Sequence, residues 1–421
     1  MSKSTLLKNT ADFVSERNSN ITPKIDDYIS TENLLPNKAG ITKATNMPIY
    51  VGSLPTYKPE DILISNIRPY LKKIWFSNKY GTCSSDVLIL RAKPEISPEF
   101  LYYSLFRDDF FNHIMKGVKG TKMPRGDKAQ MLEFAVPTFD LKTQQKIAAV
   151  LTALDAKIDC NNRINAELET MARALYDYWF VQFDFPDTNG NPYKTAGGKM
   201  TYNPTLKREI PAGWQDVPLS DWIAADKTGD WGKDTAQGNY TLQVNCIRGA
   251  DINSLNGAGT IEAPARFILE KNKTKLLAPF DFVVEISGGS PTQSTGRLAP
   301  ITIETFNRFA NPPICSNFCK VISLKENAYF FNFAYLWKSA YDNQILFGWE
   351  GKTSGIKNLL FDSFVEKHFV SKPPKNLAQK FFDFLNPLEN KKQKLMQENH
   401  HLAQLRDWLL PLLMNGQVTP T

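Results

Sequence analysis

Apolar side chains in residues 141–180 recur in alternating steps of four and three. The positions are Ile147, Leu151, Leu154, Ile158, Asn161, Asn165, Leu168, Ala172, Leu175 and Trp179, and only the two asparagines are polar. No Pro or Gly interrupts the stretch. This is the a/d seam of a coiled coil. At 1.5 Å per residue it predicts a helix about 60 Å long. A single helix cannot bury so narrow a seam, so a partner helix is required.

A second stretch steps in the same way: Phe381, Leu385, Leu388, Lys392, Leu395, Asn399, Leu402, Arg406 and Leu409. Three of its positions are polar, so its seam is weaker. Asn386-Pro387-Leu388-Glu389 reads as an N-cap, a Pro at N1 and a Glu at N3, which predicts a kink or a restart there.

Before each helical pattern lies a block with β-strand signals. In the first, short β-prone runs fall at 62–67, 73–76 and 87–90, and residues 98–111 predict an amphipathic helix. Residues 116–128, KGVKGTKMPRGDK, place five basic residues and three glycines in one segment with one acid. That composition predicts a basic loop or a loop-to-helix turn. A last strand is expected at 131–136, and Thr138 or Asp140 can cap the long helix. Residues 185–211 are rich in Gly, Pro, Asn and Thr and mark a boundary. The second block carries expected strands at 240–247, 280–286 and 320–324, a helix at 328–339, a Gly- and Lys-bearing loop at 351–357 and a closing strand at 364–370. The domains are therefore placed at 1–140, 141–185, 186–374 and 375–421.

The order block–helix–block–helix is a duplication. Setting Gln145-Lys146-Ile147 against Gln379-Lys380-Phe381 brings Leu151 to Leu385, Leu154 to Leu388, Asn165 to Asn399, Leu168 to Leu402 and Leu175 to Leu409. The expected fold is α+β. Two globular β-rich domains are separated by two long helices packed as an antiparallel coiled coil, with a pseudo-twofold internal repeat. Asn165 and Asn399 would set its register at some cost in stability. The alternative is that the two seams form a homodimer interface.

The length of 421 residues suits two to three domains. A hydrophobic content of 42% is that of a core-forming chain. The net charge of +7 fits a nucleic-acid partner without establishing one. Five scattered cysteines read as reduced thiols, and the expected location is the cytoplasm. Cys315 and Cys319 lack a second ligand pair, so no zinc site is expected. The first residues lack the apolar stretch of a signal peptide, and no apolar run is long enough for a membrane span.

Two similar domains held at a fixed distance suit a target with two evenly spaced sites. Major-groove faces of duplex DNA recur about every 34–36 Å. Basic loops would contact phosphates, and neighbouring polar side chains would read base edges. The candidate DNA-binding residues are Lys43, Asn66, Arg68, Lys72, Lys116, Lys119, Lys122 and Arg125 in the first block. In the second they are Ser290, Thr292, Gln293, Arg297, Lys352, Ser354 and Lys357. For each alone, the competing reading is a solvated surface side chain. Lys146, Lys157, Arg163 and Glu167 form the outward helix face, which is either a docking surface for partners or plainly solvated.

Three fragments imitate catalytic motifs. Residues 348–353, GWEGKT, look like a phosphate-binding loop, but Leu346 stands where its first glycine belongs. Asn311-Pro312-Pro313-Ile314 lacks the aromatic fourth residue that stacks a flipped base in amino-methyltransferases. Pro279, Asp281 and Glu285 lack the Lys of a metal nuclease. No metal site and no catalytic residue is expected.

Several long stretches resemble the specificity subunit of a type I restriction–modification system. Residues 61–90 are similar to the family's first recognition pattern. KMPRGDK at 122–128 and the run from Val136 to Pro186 are like its central region. Residues 210–222, IPAGWQDVPLSDW, resemble the start of a second recognition domain, and 405–418, LRDWLLPLLMNGQV, the C-terminal ending. The resemblance implies that each domain reads one half of an asymmetric bipartite DNA site and that the helices measure the spacer. It implies no catalysis and no bound cofactor in this chain. Two methyltransferase subunits would use S-adenosylmethionine, and two restriction–translocase subunits would use ATP and Mg. The rivals are a stand-alone methyltransferase or nuclease, and a protein–protein scaffold.

Overall fold

The computed structural model describes residues 3–18, 24–47, 52–118, 120, 122–257, 261–288, 293–353 and 356–420, with only the main chain of Asn18, Lys352 and Thr353. The chain forms two compact units, residues 1–159 with 401–421, and residues 160–400. Its class is α+β.

In the first unit an antiparallel sheet runs Ala11–Phe13, Val87–Ala92, Ile62–Ser65, Ile74–Phe76. All four residues of Ile62–Ser65 are buried, so this strand is covered on both faces. Ile62 and Ile64 pack with Phe100, Phe106, Phe110 and the helical Ile147, Leu151, Leu410 and Met414. Leu63 on the opposite face joins Ile29, Leu34, Tyr57 and Ile89. A second four-stranded sheet covers that face, and in it Tyr28–Ile29 runs parallel to Gly81–Cys83. Ser4–Leu6 pairs with Ala135–Pro137 and closes the unit.

Two expectations for this unit are corrected. The helix at 98–111 is two helices, Pro98–Phe106 and Asp108–Met115, because Arg107 is extended at φ −67°, ψ 147°. The turn buries Phe110, Phe111 and Ile114 and leaves Asp108 and Asp109 at the second N-terminus, where the helix dipole favours acids. The strand expected at 131–136 starts as a helix, Lys128–Leu132. Asp127 caps it by accepting from the N–H groups of Ala129 and Gln130, and only Ala135–Pro137 is extended.

The second unit repeats the first unit's sheet order: Ile223–Thr228, Cys319–Leu324, Phe282–Glu285, Leu298–Pro300, again antiparallel throughout. Pro313–Cys315 runs parallel to Tyr240–Ile247, and Gln215–Pro218 pairs with Phe369–Lys372. Here too two expectations give way. The loop at 351–357 is a hairpin, Glu350–Thr353 with Ile356–Leu359. The closing strand at 364–370 is a helix, Phe361–Lys367, followed by Phe369–Lys372. Phe361 and Phe364 fall at helical spacing and both pack on the buried Trp337.

The long helices are Leu141–Tyr176, extended by a π turn at Asp177–Val181, and Lys375–Met414. Asp140 caps the first, accepting from the Thr143 N–H at 3.0 Å. Every seam position named above is buried or half-buried. Within each unit the two helices run antiparallel. In the first unit Arg406 pairs with Asp155 at 2.7 Å. In the second, Trp179 packs at a tilt against Phe381, Glu169 pairs with Lys392, and Asn161 bonds Asn399. The restart expected at Pro387 does not occur: the helix is continuous through it. Pro387 and Asp383, whose carbonyl loses its usual donor, are both exposed to water, while Leu385 and Leu395 bury the opposite side. The expected Asn165–Asn399 pairing is also replaced. Asn399 faces Asn161 and Asn162, and the Asn165 Oδ1 has no hydrogen-bond partner among the described residues. Equivalence under the repeat does not imply contact, because facing residues depend on where the helices cross.

Candidate nucleic-acid interface

Two short sequence matches place the loops. Lys58-Pro59-Glu60-Asp61 and Ala278-Pro279-Phe280-Asp281 are the same turn into the third strand of each large sheet. Asp61 accepts from the Lys58 N–H at 2.9 Å and Asp281 from the Ala278 N–H at 2.8 Å. The residue before each Asp is left-handed, Glu60 at φ 73° and Phe280 at φ 69°. Asp61 is then gripped by the fork of Arg91, and Asp281 by Ser323 and Lys227. Asp281 is therefore a turn builder.

The second match is Cys83-Ser84-Ser85-Asp86-Val87 with Cys315-Ser316-Asn317-Phe318-Cys319. The Ser84 N–H donates to the Ile29 carbonyl and the Ser316 N–H to the Ile247 carbonyl, both at 2.8 Å. A tight turn follows, closed by Val87 N–H to Ser84 O at 2.9 Å and Cys319 N–H to Ser316 O at 3.0 Å.

These turns dock the Gly-bearing segments identically. In the first unit Asn66 N–H donates to Asp86 O at 2.8 Å and Gly126 N–H to Asn66 O at 3.0 Å. In the second, Ile286 N–H donates to Phe318 O and Leu359 N–H to Ile286 O, both at 2.9 Å. Ile67 bridges Arg125, and Ser287 pairs with Asn358. Gly126 packs closely here: an added Cβ would displace the end of the Met131 side chain, 2.4 Å away. Each unit thus carries one three-loop cluster with a shared main-chain framework.

The side chains differ. In the first cluster Arg68 is exposed and left-handed at φ 51°, as is Lys72 at φ 51°, which pairs with Asp108 at 2.9 Å. Arg125 pairs with Asp86 at 3.0 Å. Lys116 and Lys122 are exposed on the same segment, and the Asn66 Oδ1 is buried without a partner among the described residues. Lys43 lies on a different segment, paired with Asp26 at 2.7 Å. Lys119 lies outside the described residues.

In the second cluster Arg297 forks onto Glu285, with Nε at 2.9 Å and Nη2 at 2.6 Å, and both are buried or nearly so. The hydrogen bond raises the Arg297 guanidinium above its ordinary value. Lys357 pairs with Glu350 at 3.1 Å and lies over the Phe347 ring. Burial pushes Glu350 up, but the Thr295 N–H and Lys357 outweigh it and hold the carboxyl below its ordinary value. Gln293 is exposed, and its carbonyl accepts from Lys357 at 3.4 Å. Ser290, Thr292, Ser354 and the Lys352 side chain lie outside the described residues. The sequence reading missed Asp86 and Phe318, although the Cys-Ser repeat at 83 and 315 marks both. It also missed Lys73, which holds the place of Arg297: Ser65 N–H donates to Lys73 O as Glu285 N–H does to Arg297 O.

Among the described residues, no group of His, Cys, Asp and Glu is arranged to hold a metal ion, and no helix is long and apolar enough to cross a membrane.

Residues 8–170 match the family described as the type I restriction modification DNA specificity domain. That stretch holds the first sheet, the first three-loop cluster and most of the first long helix. The type I restriction enzyme MjaIX specificity subunit of Methanocaldococcus jannaschii is 25% identical over 332 residues, 77% of this chain and 70% of its own length. The chain is thus similar to specificity subunits of type I restriction–modification systems, and residues 8–170 carry their DNA specificity domain. Specificity subunits recognise DNA and are not themselves catalysts. The HindI specificity subunit of Haemophilus influenzae is 33% identical over 167 residues, 37% of this chain and 36% of its own length. The crystal structure of the type I restriction–modification S subunit from M. genitalium shares the fold. Its TM-score is 0.57 at 16% identity, covering 98% of this chain and 96% of that one.

Proposed function

We propose that this chain is a specificity subunit and that each of its units recognises one half of an asymmetric bipartite DNA sequence through its three-loop cluster. The observation that supports this is the duplicated main-chain framework carrying different side chains: one scaffold, two chemistries, hence two different half-sites. The two long helices set the spacer between the halves and carry two methyltransferase subunits, which use S-adenosylmethionine. Two restriction–translocase subunits, using ATP and Mg, complete the cytoplasmic complex. Arg68, Lys116, Lys119, Lys122 and Arg125 supply the electrostatic attraction for the first half. In the second cluster Arg297 and Lys357 are engaged by Glu285 and Glu350, and Ser290, Thr292, Gln293, Lys352 and Ser354 are the proposed contacts to the second half.

The test is a mixing assay on duplex DNA. The purified chain alone should transfer no methyl group. Its complex with the methyltransferase subunits should bind duplex in a strongly salt-dependent way and methylate adenine in one split motif. Methyl transfer by the chain alone, or salt-independent association, would contradict the proposal.

A further inference from the structure

The two clusters can be compared position by position, and one position separates them. Asp86 and Phe318 occupy the same place in the Cys-Ser turn, and the main-chain carbonyl of each accepts from the residue that follows the third sheet strand. Phe318 also accepts from the Ser287 N–H, which ties the turn to the hairpin strand beyond it. The side chains do opposite things. Asp86 turns to the Gly-bearing segment and holds Arg125, next to the exposed Arg68. In the second unit Arg125 is replaced by Asn358, whose Oδ1 accepts from Ser287 at 2.5 Å. Phe318 has no guanidinium to hold, and the residue stands 58% exposed at the tip of a tight turn.

We propose that this position sets the chemistry of each half-site: a guanidinium in the first unit and an apolar ring in the second. The inference rests on the three-loop clusters being the DNA-reading surface. Asp86 holds the Arg125 guanidinium through Nη2, and a guanidinium fixed in place bonds guanine O6 and N7, the commonest specific major-groove contact. An exposed phenyl ring has no hydrogen bond to offer. The one base-edge group in the major groove that rewards it is the thymine 5-methyl. The first half-site therefore contains a guanine contacted by Arg125, and the second a thymine whose methyl packs on Phe318.

Mapping the methylated sequence gives the two half-sites. Duplexes are then made with each thymine replaced in turn by deoxyuridine, which lacks only the methyl group. Binding is measured with the complex of this chain and its methyltransferase subunits. One substitution, in one half-site only, should weaken binding about fourfold, the worth of one buried methyl-sized group. Phe318→Ala should weaken binding to the unmodified duplex to a similar extent and be indifferent to that deoxyuridine. Phe318→Leu, which keeps an apolar tip, should retain part of the sensitivity, and Arg125→Ala should retain all of it. The inference is overturned if Phe318→Ala binds the unmodified duplex as the parent does, or keeps the parent's response to every deoxyuridine. Loss of binding by Phe318→Ala without any thymine dependence in the parent would overturn the methyl contact in favour of a wedge between base steps. A parent complex that does not bind duplex at all overturns the proposed function as well.

Discussion

Asn161 donates its amide to the Asn399 side chain at 2.9 Å, and Asn399 donates in turn to Asn162 at 2.8 Å. Asn161 is fully buried and also donates to Glu398 at 2.8 Å. A polar ladder therefore interrupts the seam between the helices of the second unit, as the buried Lys392 does further along it. Such a ladder stabilises only one alignment, since sliding either helix leaves its buried amides unpaired.

Asn161→Ala should lower the stability of the second unit by about 1–3 kcal/mol, because the Glu398 and Asn399 acceptors lose a buried donor. Replacing Asn161 and Asn399 together by Leu should recover much of that loss but weaken the choice of register. Thermal unfolding of both variants checks the first expectation, and disulfide trapping across the seam the second. Equal losses in the single and double variants would contradict this.

Lys392 is held between Glu169 at 2.9 Å and Glu389 at 3.3 Å in a buried stretch of the same helix pair. Burial pushes Glu169 up, but the charge and hydrogen bond of Lys392 outweigh it and hold the carboxyl below its ordinary value. Lys392→Met leaves two carboxylates without their cation and should cost about 3–5 kcal/mol near neutral pH. A depressed carboxyl stabilises the fold above its ordinary value of 4.5, and that contribution is lost as the pH falls through the folded value. The variant's orphaned Glu169 carboxylate responds in the opposite sense, gaining by protonation. The stability gap between parent and variant should therefore narrow on acidification; a gap constant with pH would sink the assignment.

The long helices were legible because burial follows the heptad residue by residue: Ile147, Leu151 and Phe381 are core, as their spacing demands. The restart at Pro387 was a local rule overridden by Leu385 and Leu395, whose burial holds the helix through the proline. The 364–370 segment failed because its apolar residues fit two periods, and only packing on Trp337 selects the helical one. The duplicated turns at Asp61 and Asp281, and at Cys83 and Cys315, were present in the sequence. They escaped because loops of unequal length between them shift the offset between the halves. The side-chain partners of Arg297 and Lys357 were not readable at all: ion pairs to Glu285 and Glu350 depend on loops folding back.

Two kinds of cation should separate in a binding experiment. Replacing Lys119 and Lys122 by Ala should weaken DNA binding and flatten its salt slope by about one unit per lost phosphate contact, with little change in stability. Arg297→Ala leaves Glu285 buried and unpaired, and should cost about 3–5 kcal/mol of stability in the second unit. Its salt slope, measured where the protein stays folded, should be unchanged. Melting curves and binding at several salt concentrations decide both; a flattened slope for Arg297→Ala would make it a phosphate contact.

If the helices set the spacer, their length is a functional quantity. Adding four residues to each, at facing positions of the seam, adds about 6 Å, near two base-pair steps. The preferred spacer should grow accordingly while both half-sites stay the same. A variant that folds and methylates with the parent spacer would show that the helices do not measure distance.

The most direct test of two-part recognition is a genome-wide map of N6-methyladenine in host DNA, with and without this chain. The account predicts one motif of two different short half-sites separated by a fixed unspecified spacer, present with the chain and absent without it. A contiguous or palindromic motif, or a split motif that persists after deletion, would contradict it.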